Sequence, residues 1–301
     1  MQLSVVICTH NPRPNYLGRT LDALRAQTLA REEWELLVID NASREPLSER
    51  LDLSWHGAAR VVREDRLGLT PARLCGIRET VGDLLVFVDD DNVLDRDYLE
   101  TALRIAQERP FLGSWSGQCR PEFERLPPDW TRRYWGNLVI REFAEDRWSN
   151  LPRLHETMPC GAGLCVRRSV AKQYLHLHEA NRRFFQLDRT GTSLLSGGDN
   201  DLAACACDIG LGMGIIASLR LTHLIPPERM TVKYFEQLTE GIYFSSVVLA
   251  HVRSSTSELS LFNVRWHETL RCLLKPSPHR RIQLAALRGR RKGLQFVSKL
   301  R

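Results

Sequence analysis

The run Leu84-Leu85-Val86-Phe87-Val88 passes without a break into Asp89-Asp90-Asp91-Asn92. Five continuous apolar residues, partly β-branched, match a strand buried on both faces of a parallel sheet. Three carboxylates at its carboxyl end do not fit a core, because unpaired buried charge is too costly. Two readings remain. The carboxylates can face a divalent cation such as Mg²⁺ or Mn²⁺, which prefers hard oxygen ligands, and ligands of open α/β sheets sit outside the carboxyl ends of strands. Alternatively they form an acidic turn in which Asn92 and Asp95 lead into and cap a helix over 96–108.

The flanking pattern supports a parallel sheet. A strand is predicted over 3–8, followed by a helix that carries Leu17, Leu21 and Leu24 and ends near Leu29. A second strand over 34–39 is closed by the turn-forming Asp40-Asn41-Ala42-Ser43, and a short third strand spans 60–62. Thr70-Pro71 reads as the start of a helix, with Thr as cap and Pro at the first helical position, and Gly82-Asp83 ends it. This alternation argues an α/β fold with a doubly wound, mostly parallel sheet flanked by helices. Beyond residue 110 the pattern loosens. Residues 115–155 hold Trp115, Trp130, Tyr134, Trp135 and Trp148 among prolines and charges, and read as more loop than regular element. A strand is predicted over 161–166 and a helix from Ser169. Gly197-Gly198-Asp199-Asn200 opens a helix that Gly210 closes. Helix is expected over 226–253 and again from Glu258 onward.

Composition sets the class. The chain has 301 residues, 43% of them apolar and 26% charged, as in a soluble globular protein with an ample core. No window approaches 18 apolar residues, so no transmembrane helix is expected. No basic stretch precedes the first strand, so no secretory leader is expected either, and the location is read as cytoplasmic. Eight cysteines form no C-x-x-C pair, which suggests buried thiols in a reducing compartment and no zinc site. The net charge of +6 is unevenly placed. Ten of the 42 Lys/Arg lie from Thr269 to Arg301, where there is no Asp or Glu. The other 268 residues hold 32 Lys/Arg against 36 Asp/Glu, a balance of −4.

Six motifs occur in order: Val5-Val6-Ile7-Cys8-Thr9-His10-Asn11, Val38-Ile39-Asp40-Asn41-Ala42-Ser43, Gly68-Leu69-Thr70-Pro71-Ala72-Arg73, the Asp89-Asp90-Asp91 junction, Gly161-Ala162-Gly163 and Gly198-Asp199-Asn200-Asp201-Leu202. In that order and spacing the chain resembles the family 2 glycosyltransferases over roughly residues 1–225. The resemblance implies a GT-A fold and an inverting, nucleotide-sugar-dependent enzyme. Two positions depart from the family pattern: Leu74 stands where Asn commonly follows the arginine, and Gly198 where Glu commonly precedes the aspartate. The implied organisation is a glycosyltransferase domain over 1–225, with a nucleotide-sugar half over 1–110 and an acceptor half over 111–225. A helical extension with a basic tail follows over 226–301.

The resemblance also assigns roles. Asp91 would coordinate Mn²⁺ or Mg²⁺, Asp90 would contact the ribose or share the metal shell, and Asp89 would stand behind them. Thr9, Asn11 and Asp40 fall where the family binds base and ribose, although turn chemistry explains Asp40 equally well. Arg73 follows a helix start, where the helix dipole disfavours a cation; a phosphate nearby would resolve the conflict, and solvent exposure is the alternative. Asp199 is the expected general base, with N-capping as the simpler reading of one of the acids there. His223, after an apolar strand-like segment, is the expected further metal ligand or else a satisfied core histidine. Gly161 and Ala162 would shape the acceptor site, and Trp130 or Trp135 would offer a ring for sugar stacking or merely fill a satellite core.

Partners follow from the same reading: a nucleotide-diphospho-sugar donor and a glycan or lipid-linked acceptor. The basic tail (Arg280, Arg281, Arg288, Arg290, Arg291, Lys292, Lys299, Arg301) carries Ile282, Leu284, Leu287, Leu294, Phe296 and Val297 between its charges. It can meet an anionic membrane surface or pack on the body. Nucleic acid is not expected, since no supporting motif is present. A metal-dependent nucleotidyltransferase remains an alternative, but Cys8-Thr9-His10-Asn11-Pro12 is not the glycine-rich loop such enzymes use. Gly210-Leu211-Gly212-Met213-Gly214 follows a helix, the wrong context for a dinucleotide fingerprint. A non-catalytic sugar-binding relative is the third reading.

Overall fold

The computed structural model describes residues 1–152, 155–180, 183, 187–189, 194–253 and 256–300. Arg301, read above as part of the basic tail, lies outside them. The chain divides into two compact units. The first comprises Met1–Glu122, Val139–Asn181 and Asp199–Leu224. The second comprises Phe123–Leu138, Arg182–Gly198 and Ile225–Arg301.

In the first unit, β1 (Leu3–Thr9), α1 (Pro14–Arg25), β2 (Trp34–Asn41), β3 (Ala59–Glu64), α2 (Leu69–Glu79) and β4 (Leu84–Val88) follow the expected alternation. Strands β3, β2, β1 and β4 lie side by side and parallel, with Leu3 opposite both Trp34 and Leu84. Successive side chains in a strand point to opposite faces. Leu3, Val5 and Ile7 therefore pack with Leu17, Leu21 and Leu24 of α1, and with Leu99 and Ala102 of α3 (Tyr98–Glu108). Val6 packs on the other face with Leu74 and Ile77 of α2. Both faces are covered, which is why these strands read as unbroken apolar runs.

After β5 (Asn92–Leu94) and α3 come β6 (Leu112–Phe123), β7 (Arg147–Ser149), β8 (Leu164–Arg167), α4 (Arg168–Glu179), α5 (Gly198–Asp208) and β9 (Gly212–Ile225). Beyond β4 antiparallel pairs enter the sheet: β8 pairs antiparallel with β4 and β6, and β9 with β5 and β7. The strand order is β3-β2-β1-β4-β8-β6-β9-β5, with β7 also on β9. Four local expectations are corrected. The twelve-residue β6 occupies part of a stretch read as loop, because its polar and small residues (Ser114, Ser116, Gly117, Gln118) mask the strand pattern. Asn92 does not cap a helix but begins β5, and α3 starts at Tyr98 behind Asp97. The N-cap of α2 is Gly68, at φ 138°, in place of Thr70. Helix α1 stops at Arg25, short of Leu29.

The second unit is helical. It contains a 3-10 segment, Asp129–Leu138, then α6 (Val232–Arg253), α7 (Trp266–Leu273) and α8 (His279–Ser298). Helices α6 and α8 pack closely. A Cβ at Gly293 would come within 2.7 Å of the Val247 Cβ, and one at Gly289 would overlap the Glu240 carbonyl. The apolar side of the tail is accordingly turned inward. Ile282, Leu287 and Val297 are buried, and Leu294 and Phe296 pack around Val247 and Val248. Arg281 pairs with Glu236, while Arg288 and Lys292 both pair with Glu240. The stripe that could have met a bilayer is an interhelical seam. Among the described residues no helix is long and apolar enough to cross a membrane, and none of the cysteines forms a disulfide.

The turn after β2 is held by one carboxylate. Asp40 accepts hydrogen bonds from the Ser43 and Leu47 amides, both 3.1 Å, and from Arg63 at 2.8 Å. Burial by itself would raise its pKa, but these donors outweigh that and hold it below the usual carboxylate range. Its stabilising effect is therefore present at neutral pH and is lost as pH falls through the lowered value. Asp40→Asn is expected to lose about 2 kcal/mol at pH 7. The gap from the parent should narrow as pH drops below the ordinary aspartate value. Urea unfolding of both proteins across pH checks this, and a gap that stays constant into acid would refute it.

Candidate active site

The carboxyl ends of the neighbouring strands β1, β2 and β4 carry Thr9, Asp40 and the Asp89–Asp91 triplet. The Thr9 hydroxyl donates to Asp90 Oδ2, tying the ends of β1 and β4 together. Asn11, exposed and at φ 49°, donates its backbone amide to the Ser43 hydroxyl oxygen and accepts the Arg44 amide at its side-chain oxygen. Asp40 has both oxygens engaged within the protein, as described above, and is 1% exposed. These contacts satisfy the turn-chemistry reading of Asp40.

Asp91 and His223 meet. Their side chains lie 3.4 Å apart (Oδ2 to Nε2), and both are nearly buried. Antiparallel pairing of β5 with β9 brings this about. Asn92 stands opposite His223, and the Leu224 amide donates to the Asp91 carbonyl at 2.9 Å. Asn92 also donates its side-chain amide to Asp91 Oδ1 at 2.9 Å, fixing the carboxylate. A carboxylate and an imidazole are donors suited to Mn²⁺, and less so to Mg²⁺, which favours oxygen ligands. Among the described residues, no group of three or more His, Cys, Asp or Glu side chains is placed to hold a metal ion. Substrate phosphates and water would have to complete any coordination shell built on this pair.

Arg73, Gly161 and Asp199 form a second cluster. Asp199 stands in the first turn of α5, whose amino end favours a carboxylate. Its Oδ2 accepts the Gly161 amide at 2.7 Å, and its Oδ1 accepts the Asn200 amide at 2.9 Å. A Cβ at Gly161 would lie 3.1 Å from both Asp199 Oδ2 and Arg73 Nη2, so guanidinium and carboxylate face one point across a glycine. Arg73 is 4% exposed, which removes the surface reading of that residue. β8 sets the position of the turn. Leu164 pairs with Phe87, so Gly161, Ala162 and Gly163 come at the aspartate-bearing end of β4.

Some supporting residues carried no signal in the sequence. Arg141 donates to the Met158 carbonyl at 3.0 Å and to Ser116 Oγ at 2.5 Å, under the strand of chain that leads into Gly161. Tyr98 donates to the Gly163 carbonyl at 2.7 Å, and burial pushes its hydroxyl well above the usual range, so it remains a donor. Gly163 itself has φ +66°, and a Cβ there would meet Leu221 and Tyr98. Asn41 spans the loops: it donates to the Glu64 and Arg66 carbonyls and accepts the Gly68 amide at the start of α2. These residues act through long-range contacts, which only the fold reveals.

Trp130 and Trp135 belong to the second unit. Trp130 packs edge-on against Phe235, with centroids 5.6 Å apart. Trp135 packs on Phe123 at 5.0 Å and donates Nε1 to Thr131. Both are half-buried, as satellite-core residues are.

The family model for glycosyl transferase family 2 matches residues 4–175. Among curated relatives, an inactive polypeptide N-acetylgalactosaminyltransferase-like protein 5 of Macaca fascicularis is 32% identical over 36% of this chain and 25% of its own length. Glycosyltransferase AglE of Haloferax volcanii is 28% identical over 33% of each chain. The chain thus matches only a quarter to a third of the length of these relatives. Among solved structures, S. aureus TarS 1-349 aligns with TM-score 0.55 and 15% identity, covering 100% of this chain and 92% of the other, which is a likeness of fold. The same fragment in complex with UDP-GlcNAc aligns with TM-score 0.54 and 15% identity over 98% of this chain and 92% of the other. The family model spans more than half of the chain, and within its range Thr9, Asp40 and Asp89–Asp91 stand at the carboxyl ends of the parallel strands: the protein belongs to glycosyl transferase family 2 and has a GT-A-like fold.

Proposed function

We propose that this chain transfers a sugar, with inversion, from a nucleotide-diphospho-sugar to an acceptor hydroxyl. The observation that carries the reading is the arrangement of acids at the sheet's carboxyl end: Asp91 against His223, and Asp199 facing Arg73 across Gly161. The first pair suits a divalent cation and the second suits phosphate and proton chemistry. The UDP-GlcNAc found with the fold relative TarS makes a UDP-sugar the first donor to test. The acceptor is a glycan or lipid-linked hydroxyl.

In this reading Thr9, Asn11, Asp40, Asp89 and Asp90 line the nucleoside side of the donor. Asp40 would act from behind, since its oxygens already hold the β2 turn. Asp91 and His223 would hold Mn²⁺ or Mg²⁺, which supplies charge neutralisation to the departing diphosphate. The buried Arg73 guanidinium offers donors to a phosphate oxygen. Asp199 uses the lone pairs left by Gly161 and Asn200 to take the proton from the acceptor hydroxyl. The hydroxyl oxygen forms its bond to the anomeric carbon as the bond to the diphosphate oxygen breaks. The diphosphate leaves with the electron pair, and the proton resides on Asp199. Gly161 and Ala162 would border the acceptor.

Three tests follow. Asp199→Asn keeps shape but accepts no proton, so turnover is expected to fall ~10²- to 10⁴-fold with nucleotide affinity little changed. Nucleotide binding that weakens in step with turnover would place Asp199 on the donor side. Asp91→Ala is expected to lower turnover at least ~100-fold and to abolish the tightening of UDP binding by Mn²⁺, measured by calorimetry. Chelator-insensitive turnover would remove the metal from the reaction. Release of nucleoside diphosphate from a panel of nucleotide-sugars separates the enzyme from a non-catalytic sugar-binding relative, which would bind without release.

A further inference from the structure

Helix α7 turns its apolar side outward. On a helical projection Trp266, Leu270, Leu273 and Leu274 fall within about one third of the circumference. They are 75%, 49%, 50% and 86% exposed, and Leu261 just before the helix is 77% exposed. The opposite side faces the second unit's own core. Cys272 is buried there, and Glu268 pairs with Arg290 of α8 at 2.9 Å. Four large apolar side chains in one stripe on eight helical residues and their cap are unusual for a solvated surface.

The charge around this stripe is of one sign. From Arg265 to Leu300 the only acid is Glu268, and it is already paired. Arg281, Arg288, Arg290 and Lys292 are matched by carboxylates. Arg265, Arg271, Lys275, Arg280, Arg291 and Lys299 have no carboxylate partner among the described residues. Two of these border the stripe. Arg271 follows Leu270 on one flank, and Arg291 reaches Thr269 on the other at 3.4 Å. The tail's cations are thus divided: Arg281, Arg288 and Lys292 are matched by α6 carboxylates and Arg290 by Glu268, while Arg265, Arg271, Lys275 and Arg291 at and beside α7 have no carboxylate partner among the described residues.

We propose that α7 lies in the plane of an anionic lipid bilayer, with Trp266, Leu270, Leu273 and Leu274 in the acyl boundary and Arg265, Arg271, Lys275 and Arg291 on the headgroup phosphates. A short helix with Trp and Leu on one face and cations at its edges has the composition of an interfacial anchor. The uncompensated positive charge selects an anionic membrane over a neutral one or over a second, equally basic copy of the chain. The surface lies on α7 and its borders, and the α8 stripe that the sequence offered for this role is buried.

The test is co-sedimentation of the full chain with phosphatidylcholine vesicles, with and without phosphatidylglycerol. Binding is expected only with phosphatidylglycerol, weakened at high salt as screening requires. The variant Trp266→Ser/Leu270→Ser/Leu273→Ser changes exposed positions only and should keep its melting temperature while lowering partitioning at least ~10-fold. Arg271→Glu/Lys275→Glu should lower it similarly and leave the apolar stripe intact. Brominated acyl chains should quench tryptophan emission in the parent, and less so in Trp266→Phe. Absence of vesicle binding by the parent, or equal binding by the triple variant, overturns the proposal. A monomer–dimer equilibrium that the triple variant abolishes, without vesicle binding, assigns the face to a second copy and overturns it as well.

Discussion

The antiparallel pairing of β5 with β9 is the constraint on which the site depends. Three residues, Asn92–Leu94, leave the parallel half of the sheet and pair with the far end of a strand more than a hundred residues later in the chain. That pairing places His223 beside Asp91 and satisfies the Asp91 carbonyl through the Leu224 amide. The same logic applies on the other side of β4. Pairing of Leu164 with Phe87 brings the Gly161 turn alongside, and the Gly161 amide then meets Asp199. Both clusters are consequences of strand register, and a one-residue slip in either pairing would take its site apart.

Burial gives these contacts their weight. Arg73, Asp91 and His223 are each less than a tenth exposed, and a charge at that depth is tolerated only with partners. Asp199 meets this demand through backbone amides and the first turn of α5, and Asp90 through the Thr9 hydroxyl. The Asp91–His223 pair is different in kind. It brings a carboxylate and an imidazole within 3.4 Å, a pair of ligating groups from opposite halves of the domain. Other residues hold these groups in place: Asn92 on Asp91, Tyr98 on Gly163, Arg141 beneath the approach to Gly161, and Asn41 on the start of α2.

The parallel half of the fold was legible because its strands are buried on both faces and its turns carry Gly, Asn and Asp, signals that are local. The position of Asp199 at a helix start behind two glycines was legible for the same reason. Strand β6 was not, since Ser114, Ser116 and Gln118 find their partners far along the chain: Ser114 donates to the Ala203 carbonyl of α5, Ser116 accepts from Arg141, and Gln118 donates to the Ala217 carbonyl of β9. The basic tail shows how a helical pattern can mislead. Its apolar spacing fits a membrane-surface helix and an interhelical seam equally well, and only the close approach at Gly289 and Gly293 decides for the seam. The exposed stripe of α7, by contrast, is short enough to pass for an ordinary core helix until its accessibility is known.

The central claim is that the end of β4 and His223 form one donor site. The most direct measurement is anomalous diffraction at the manganese edge from crystals grown with Mn²⁺ and UDP. The account predicts a single strong peak within bonding distance of Asp91 Oδ2 and His223 Nε2, with the diphosphate on its open side and Arg73 on a phosphate oxygen. A nucleotide bound away from β1, β2 and β4, or manganese held by other residues while Asp91 and His223 bond only to each other, would contradict it.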